Sequence, residues 1–257
     1  MAKAWTRDEV LIALNLYCQL PFGKLHQGNP LIIKVAEMLD RTPGSVAMKL
    51  SNLASLDPEI TTSGRKGLEG ASALDKSVWT EFAQEPAAIA VESQQLMDLL
   101  VDGIAPELST QAEEPDIPAA TDAETSSAVT VKVRRGQAFF RKSVLASYDG
   151  ACCMSGLKVR RLLVASHIKP WRSDTANRLN PRNGLCLSAL HDRAYDLGYL
   201  SVRPDHTIAV SKELRADTSA LSIDCLVALD GMKIRMPEKF HPSADLLDWH
   251  YVNIFRK

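Results

Sequence analysis

The 257-residue chain is informative first by what is missing from it. No apolar run approaches the roughly 18 residues that a membrane helix needs, so no membrane contact is expected. Cysteine is sparse and odd in number: Cys18, Cys152, Cys153, Cys186 and Cys225. With no secretory leader in view, that count points to a reducing, cytoplasmic setting and against a disulfide framework. No internal repeat is visible, which sets aside solenoids and propellers. Residues 81–130 contain 11 acids and not one Lys or Arg. Net charge is lacking too, at −1, but that figure hides a segregation. Between Val131 and Leu200 stand 13 Lys and Arg against 4 acids, and such a block is where a phosphate backbone would dock.

What is present divides the chain into three. Residues 1–82 read as a small helical domain. Thr6 with Glu9 has capping-box spacing, and Val10, Leu11, Leu14 and Tyr17 then recur at helical intervals. Leu31, Ile32, Val35, Ala36 and Leu39 mark a second helix; Thr42-Pro43 opens a third, with Val46, Leu50 and Leu53 inward. Three short helices with a sharp turn before the third resemble helix-turn-helix or Myb-like modules, in which the third helix enters the major groove. That resemblance makes Arg41, Ser45, Lys49 and Asn52 candidate DNA contacts; a bundle used for protein contacts is the alternative. The glycine-rich stretch Thr61–Leu74, with Arg65-Lys66, reads as an exposed loop able to hold a phosphate or a ligand. Residues 83–130 read as an acidic linker carrying a helix over Ala87–Leu100. Residues 131–257 form the third part. It comprises a basic amphipathic helix over Arg135–Ser147, short strands at Ile208–Val210, Leu226–Leu229 and Ile234, and a last helix over Ala244–Phe255.

The chemistry concentrates between Leu162 and Asp196. An apolar run ends in His167, Asn183-Gly184 closes a loop, an apolar return strand follows, and a helix from Ser188 onward carries His191. The order is His, Asn, His, at separations of 16 and 8 residues. Three linked motifs occur here: Ser166-His167-Ile168-Lys169-Pro170-Trp171, Asn180-Pro181-Arg182-Asn183-Gly184-Leu185 and Leu190-His191-Asp192-Arg193-Ala194-Tyr195-Asp196.

That set resembles the HNH endonuclease family and implies an α+β chain whose C-terminal domain is a ββα-metal nuclease. The resemblance makes His167 the general base, Asn183 the holder of the His167 ring or of its loop, and His191 a ligand to Mg²⁺ or another divalent ion such as Mn²⁺. Asp192 is the hard oxygen donor beside it, with Asp196 a further candidate. Ser166 stands where many members place an acidic or His ligand. Many members also carry two C-x-x-C pairs around zinc, whereas Cys153 has Gly156 at the partner position, so no structural zinc is expected. Arg160, Arg161, Lys169, Arg172 and Arg182 are the expected phosphate contacts. The resemblance implies a metal-dependent endonuclease acting on double-stranded DNA in restriction or phage defence. A double-strand break would call for a homodimer or two sequential nicks. The alternatives are a non-catalytic DNA-binding regulator using the unit as a basic clamp, and an RNA-directed nuclease.

Overall fold

Thr6 starts the first helix, α1 (Arg7–Gln19), through a complete capping box with Glu9. In this computed structural model, which describes residues 3–65, 67–68, 70–102 and 127–257 (side chains of 102 and 127–134 excepted), the chain divides into two compact units. They are Met1–Phe140 and Arg141–Lys257.

In the first unit every residue of α1 from Glu9 to Cys18 is buried, because helices cover it on several sides. Asn29 caps α2 (Pro30–Met38) and Thr42 caps α3 (Pro43–Ala54), each with proline in the first turn. Asp57 caps the short α4 (Pro58–Thr62), and a Ser72–Asp75 capping box opens α5 (Ala73–Gln84). A linker beginning at 83 was expected, but α6 (Pro86–Asp102) packs on α1 instead. It buries Ile89, Ala90, Ser93 and Gln94, and Asn15 donates from Nδ2 to Ser93 and Gln94 at 3.3 Å each. The alanines that give this segment its linker-like composition are what let two helices approach closely. The acidic stretch 103–126 lies outside the described residues.

Two of the expected groove contacts are consumed inside this unit. Arg41 is paired with Glu9 at 2.8 Å, and its guanidinium lies 4.0 Å over the Trp5 ring. Lys49 reaches Asp75 at 2.7 Å, with both side chains almost fully covered. Asn52 is buried as well. The expectation that Arg41 and Lys49 meet DNA is therefore corrected: α5 lies against α3, and their charges are neutralised within the unit. The glycine-rich loop also has a packing reason. Gly67 lies against the backbone of Ser51 and Ser55 so closely that any Cβ there would collide with it.

The second unit is built on a hairpin. The long α7 (Ser127–Ser147) crosses the division between the units and delivers the buried Val144 and Leu145. β1 (Leu163–His167) pairs antiparallel with β2 (Gly184–Ser188), in a register running from Leu163 opposite Ser188 to His167 opposite Gly184. Ser188 then caps α8 (Ala189–Asp196), which packs on both strands and completes the expected ββα order. Gly198, at φ +76°, turns the chain after α8 in close contact with the Ile254 carbonyl. A second hairpin follows, β3 (Leu200–Val202) with β4 (Ile208–Val210).

Beyond it lie α9 (Lys212–Arg215), α10 (Ala220–Cys225) and α11 (Ala244–Asn253). The expected strand at Leu226–Leu229 is instead a 3₁₀ turn, because Asp230 after it accepts from the Val210 amide at 3.0 Å and folds the run back. Ile234 is buried without joining a strand. The core of this unit gathers Leu163, Leu185, Leu187, Tyr195, Leu200, Val202 and Leu247. On it His250 stacks against Tyr195 at 3.8 Å between ring centres. Among the described residues, no helix is long and apolar enough to cross a membrane.

Candidate active site

Successive residues of a strand face opposite sides, so Ser166 and His167 at the end of β1 point to different surroundings. The His167 Nε2–H donates to the Arg178 carbonyl at 2.9 Å, and the ring meets Trp171 edge-on at 5.7 Å. A carbonyl can only accept, which assigns the proton to Nε2 and makes Nδ1 the basic nitrogen of the neutral ring. Burial pulls the imidazole below its ordinary value and outweighs the opposing effect of the carbonyl. The ring is thus kept neutral, ready to take a proton.

Asn183 is fully buried and holds the loop, the second of the two tethers expected of it. Its Oδ1 accepts from the Lys169 amide at 2.8 Å, while Nδ2 donates to the carbonyls of Lys169 at 3.1 Å and Asn177 at 3.2 Å. The loop is laced further by Asp174, which accepts from the amides of Ala176 and Asn177, and by Asn180, which donates to Asn177. Together these bonds fix the segment that carries the Arg178 carbonyl to the His167 ring.

On α8, His191 and Asp192 part company, since neighbours on a helix point about 100° apart. His191 turns inward and donates from Nε2 to the Cys225 carbonyl at 3.0 Å. Its Nδ1 lies 2.7 Å from Ser188 Oγ and 3.6 Å from Cys152 Sγ. Both nitrogens have protein partners, and none of them is shared with His167. The expectation that His191 joins His167 around a metal is corrected here, because the ring closes the α8 start onto the segment before β1. Burial pushes the Cys152 thiol up, but hydrogen bonds from His191 and Ser155 outweigh it and bring the thiol down to about 6. Burial pulls His191 down, and the same sulfur more than compensates. The pair leans toward thiolate and imidazolium, a form in which neither ring nitrogen has a lone pair for a metal.

This cluster is what the sequence reading missed. It paired Cys153 with Gly156, while the folded chain joins Cys152-x-x-Ser155 to Ser188-x-x-His191. The equal spacing of the two pairs was the available signal. One thiol and one imidazole are fewer soft donors than tetrahedral zinc takes.

Asp192 looks the other way, toward Ser166. Burial raises its carboxyl, and the Ser166 hydroxyl and Arg193 offset part of that rise. Ser166 Oγ is buried without closing a full hydrogen bond to any group. Among the described residues, no three His, Cys, Asp or Glu side chains gather as a metal cluster.

Residues 152–203 match the HNH endonuclease family. The HNH match takes in the Cys152 segment, both strands of the first hairpin, α8 and β3, and it implies a nuclease or DNA-binding function for this half of the chain. No curated protein matches the chain.

Around the HNH hairpin the expected phosphate contacts separate into two groups. Arg160 and Arg161 are exposed on the turn that leads into β1, at the end of the hairpin away from His167. Lys169, Arg172 and Arg182 belong to the loop at the His167 end. Arg172 is exposed, whereas Lys169 is paired with Asp174 at 3.3 Å. Arg178, not singled out by the sequence, stacks 5.0 Å over Trp171 and so stands beside the His167 ring.

Proposed function

We propose that the chain is a metal-dependent DNA endonuclease that hydrolyses phosphodiester bonds at His167. The observation that carries this reading is the state of His167: neutral by burial, its tautomer set by the Arg178 carbonyl, on a loop tied by Asn183. A neutral imidazole with a defined basic nitrogen is what abstracting a proton from water requires. Arg172, Arg178, Lys169 and Arg182, at the same end of the hairpin, bind the phosphate backbone and hold the scissile group against the ring.

The donors on the other side of β1 fit a hard divalent ion. The Asp192 carboxylate and the buried, incompletely bonded Ser166 hydroxyl are oxygen donors of the type Mg²⁺ and Mn²⁺ accept. When bound, such an ion would neutralise charge on the phosphoryl and leaving oxygens. Asn183 fixes the loop, and His191 with Cys152 fixes the start of α8, so that both sides of the site are held before DNA arrives. One such site cuts one strand; a double-strand break needs a homodimer or two nicks. Restriction or phage defence is the setting we propose for such a nuclease.

The test is nicking of supercoiled plasmid with Mg²⁺ or Mn²⁺ by the wild type and by His167→Ala. Loss of a positioned base should slow nicking by about 10² to 10⁴-fold while DNA binding persists. DNA binding without cutting by the wild type under either metal would replace this reading with that of a basic clamp.

A further inference from the structure

The carboxylate of Asp192 has a companion that the proposed role of the site leaves unused. Asp196 follows it by four residues on α8, a spacing that puts both carboxylates on one face with Cβ atoms about 5–6 Å apart. Burial and then the negative charge of Asp192 push Asp196 up to about 6, so the two acids are near enough to repel. Arg193 between them offsets this only in part. Two carboxylates on one turn are by themselves only an acidic face. The independent sign is Ser166: 3 % exposed, facing Asp192 from β1, its hydroxyl lacking a full hydrogen bond. A buried polar atom left in that condition costs stability unless something else satisfies it.

We propose that Asp192, Asp196 and Ser166 form a preformed oxygen seat for one hard divalent cation, with Asp196 as the second carboxylate ligand. This rests on the nuclease reading for the ion's use, though not for its binding. The seat draws both charges from one helix turn, and the strand supplies a neutral hydroxyl. With no nitrogen or sulfur donor it favours Mg²⁺ and Mn²⁺ over zinc. It also assigns a function to the inward turn of His191, which leaves the outer face of α8 to oxygen donors.

The experiment titrates Mn²⁺ into the metal-stripped full-length chain and reads free Mn²⁺ by electron paramagnetic resonance, with Mg²⁺ as competitor. The wild type should bind one Mn²⁺ per chain, displaced by Mg²⁺. Asp196→Asn is isosteric at an exposed position, so the fold should survive, as a melting curve without metal would verify. It should weaken Mn²⁺ binding by about tenfold or more. Ser166→Ala should weaken it severalfold. Direct ligation predicts that the Asp196→Asn loss persists in 1 M KCl, where screening reduces the range of charge to about 3 Å. Binding within twofold of the wild type, or a loss that vanishes in 1 M KCl, would remove Asp196 from the ligand set. A wild type that binds no Mn²⁺ without DNA would overturn the preformed seat. None of these results touches the plasmid assay of His167→Ala, which judges the nuclease reading separately.

Discussion

Replacing His191 with alanine separates two roles that an imidazole in this position can play. As a metal ligand it would contribute to ion affinity; as an internal clasp it contributes to folding. In the structure its Nε2 meets the Cys225 carbonyl at 3.0 Å, and its Nδ1 meets Ser188 at 2.7 Å and Cys152 at 3.6 Å. The ring is 4 % exposed, so truncation leaves a carbonyl and a thiol unsatisfied in a buried space. Each stranded buried polar group costs about 1–3 kcal/mol. Part of that is recovered because Ser188 still caps α8. The expected loss is therefore about 2–4 kcal/mol of stability in the second unit, a fall of on the order of 10 °C in its melting temperature. Urea or thermal unfolding monitored by circular dichroism measures it. Mn²⁺ affinity of the folded fraction should stay within about threefold of the wild type. A variant that melts like the wild type but loses Mn²⁺ by a hundredfold would refute the clasp and restore His191 as a ligand.

Two further outcomes follow from other parts of the molecule. His167 is held below the usual imidazole value of 6.5 by burial, so the neutral base persists into more acid solution. The acid limb of nicking rate against pH should then have its midpoint below 6.5, and a midpoint above that value would contradict the assignment. Lys49→Met leaves Asp75 without its cation at a site where both side chains are covered, which should destabilise the first unit by about 3–5 kcal/mol. Adding Asp75→Asn should restore most of that in the same unfolding assay. A Lys49→Met variant of undiminished stability but weakened DNA binding would return this lysine to the DNA.

Local signals in the sequence foretold local structure well. Thr6, Thr42 and Ser188 cap the helices that their positions suggest, and the hairpin closes at Asn183-Gly184, where turn chemistry places it. The order of His167, Asn183 and His191 marked the right segment, since linked motifs over one hairpin and helix leave few arrangements open. What the sequence withheld was direction. Neighbouring residues on α8 face different ways, so His191 and Asp192 read alike in a string yet enter different clusters. Partners distant in sequence were equally hidden. Arg41 and Lys49 look like free charges on a helix start and a helix face until Glu9 and Asp75, 32 and 26 residues away, fold against them. The alanines of α6 suggested a tether because small residues serve both flexible chains and tight helix crossings.

The bond from His167 to position 178 ends on a main-chain oxygen. Main-chain atoms are common to all twenty amino acids, so exchanging Arg178 can alter how the nucleic acid is gripped without removing the group that orients the ring. Substrate preference and proton transfer are thereby uncoupled at one residue. Selection is free to vary the side chain there, while the shape of the loop preserves the chemistry.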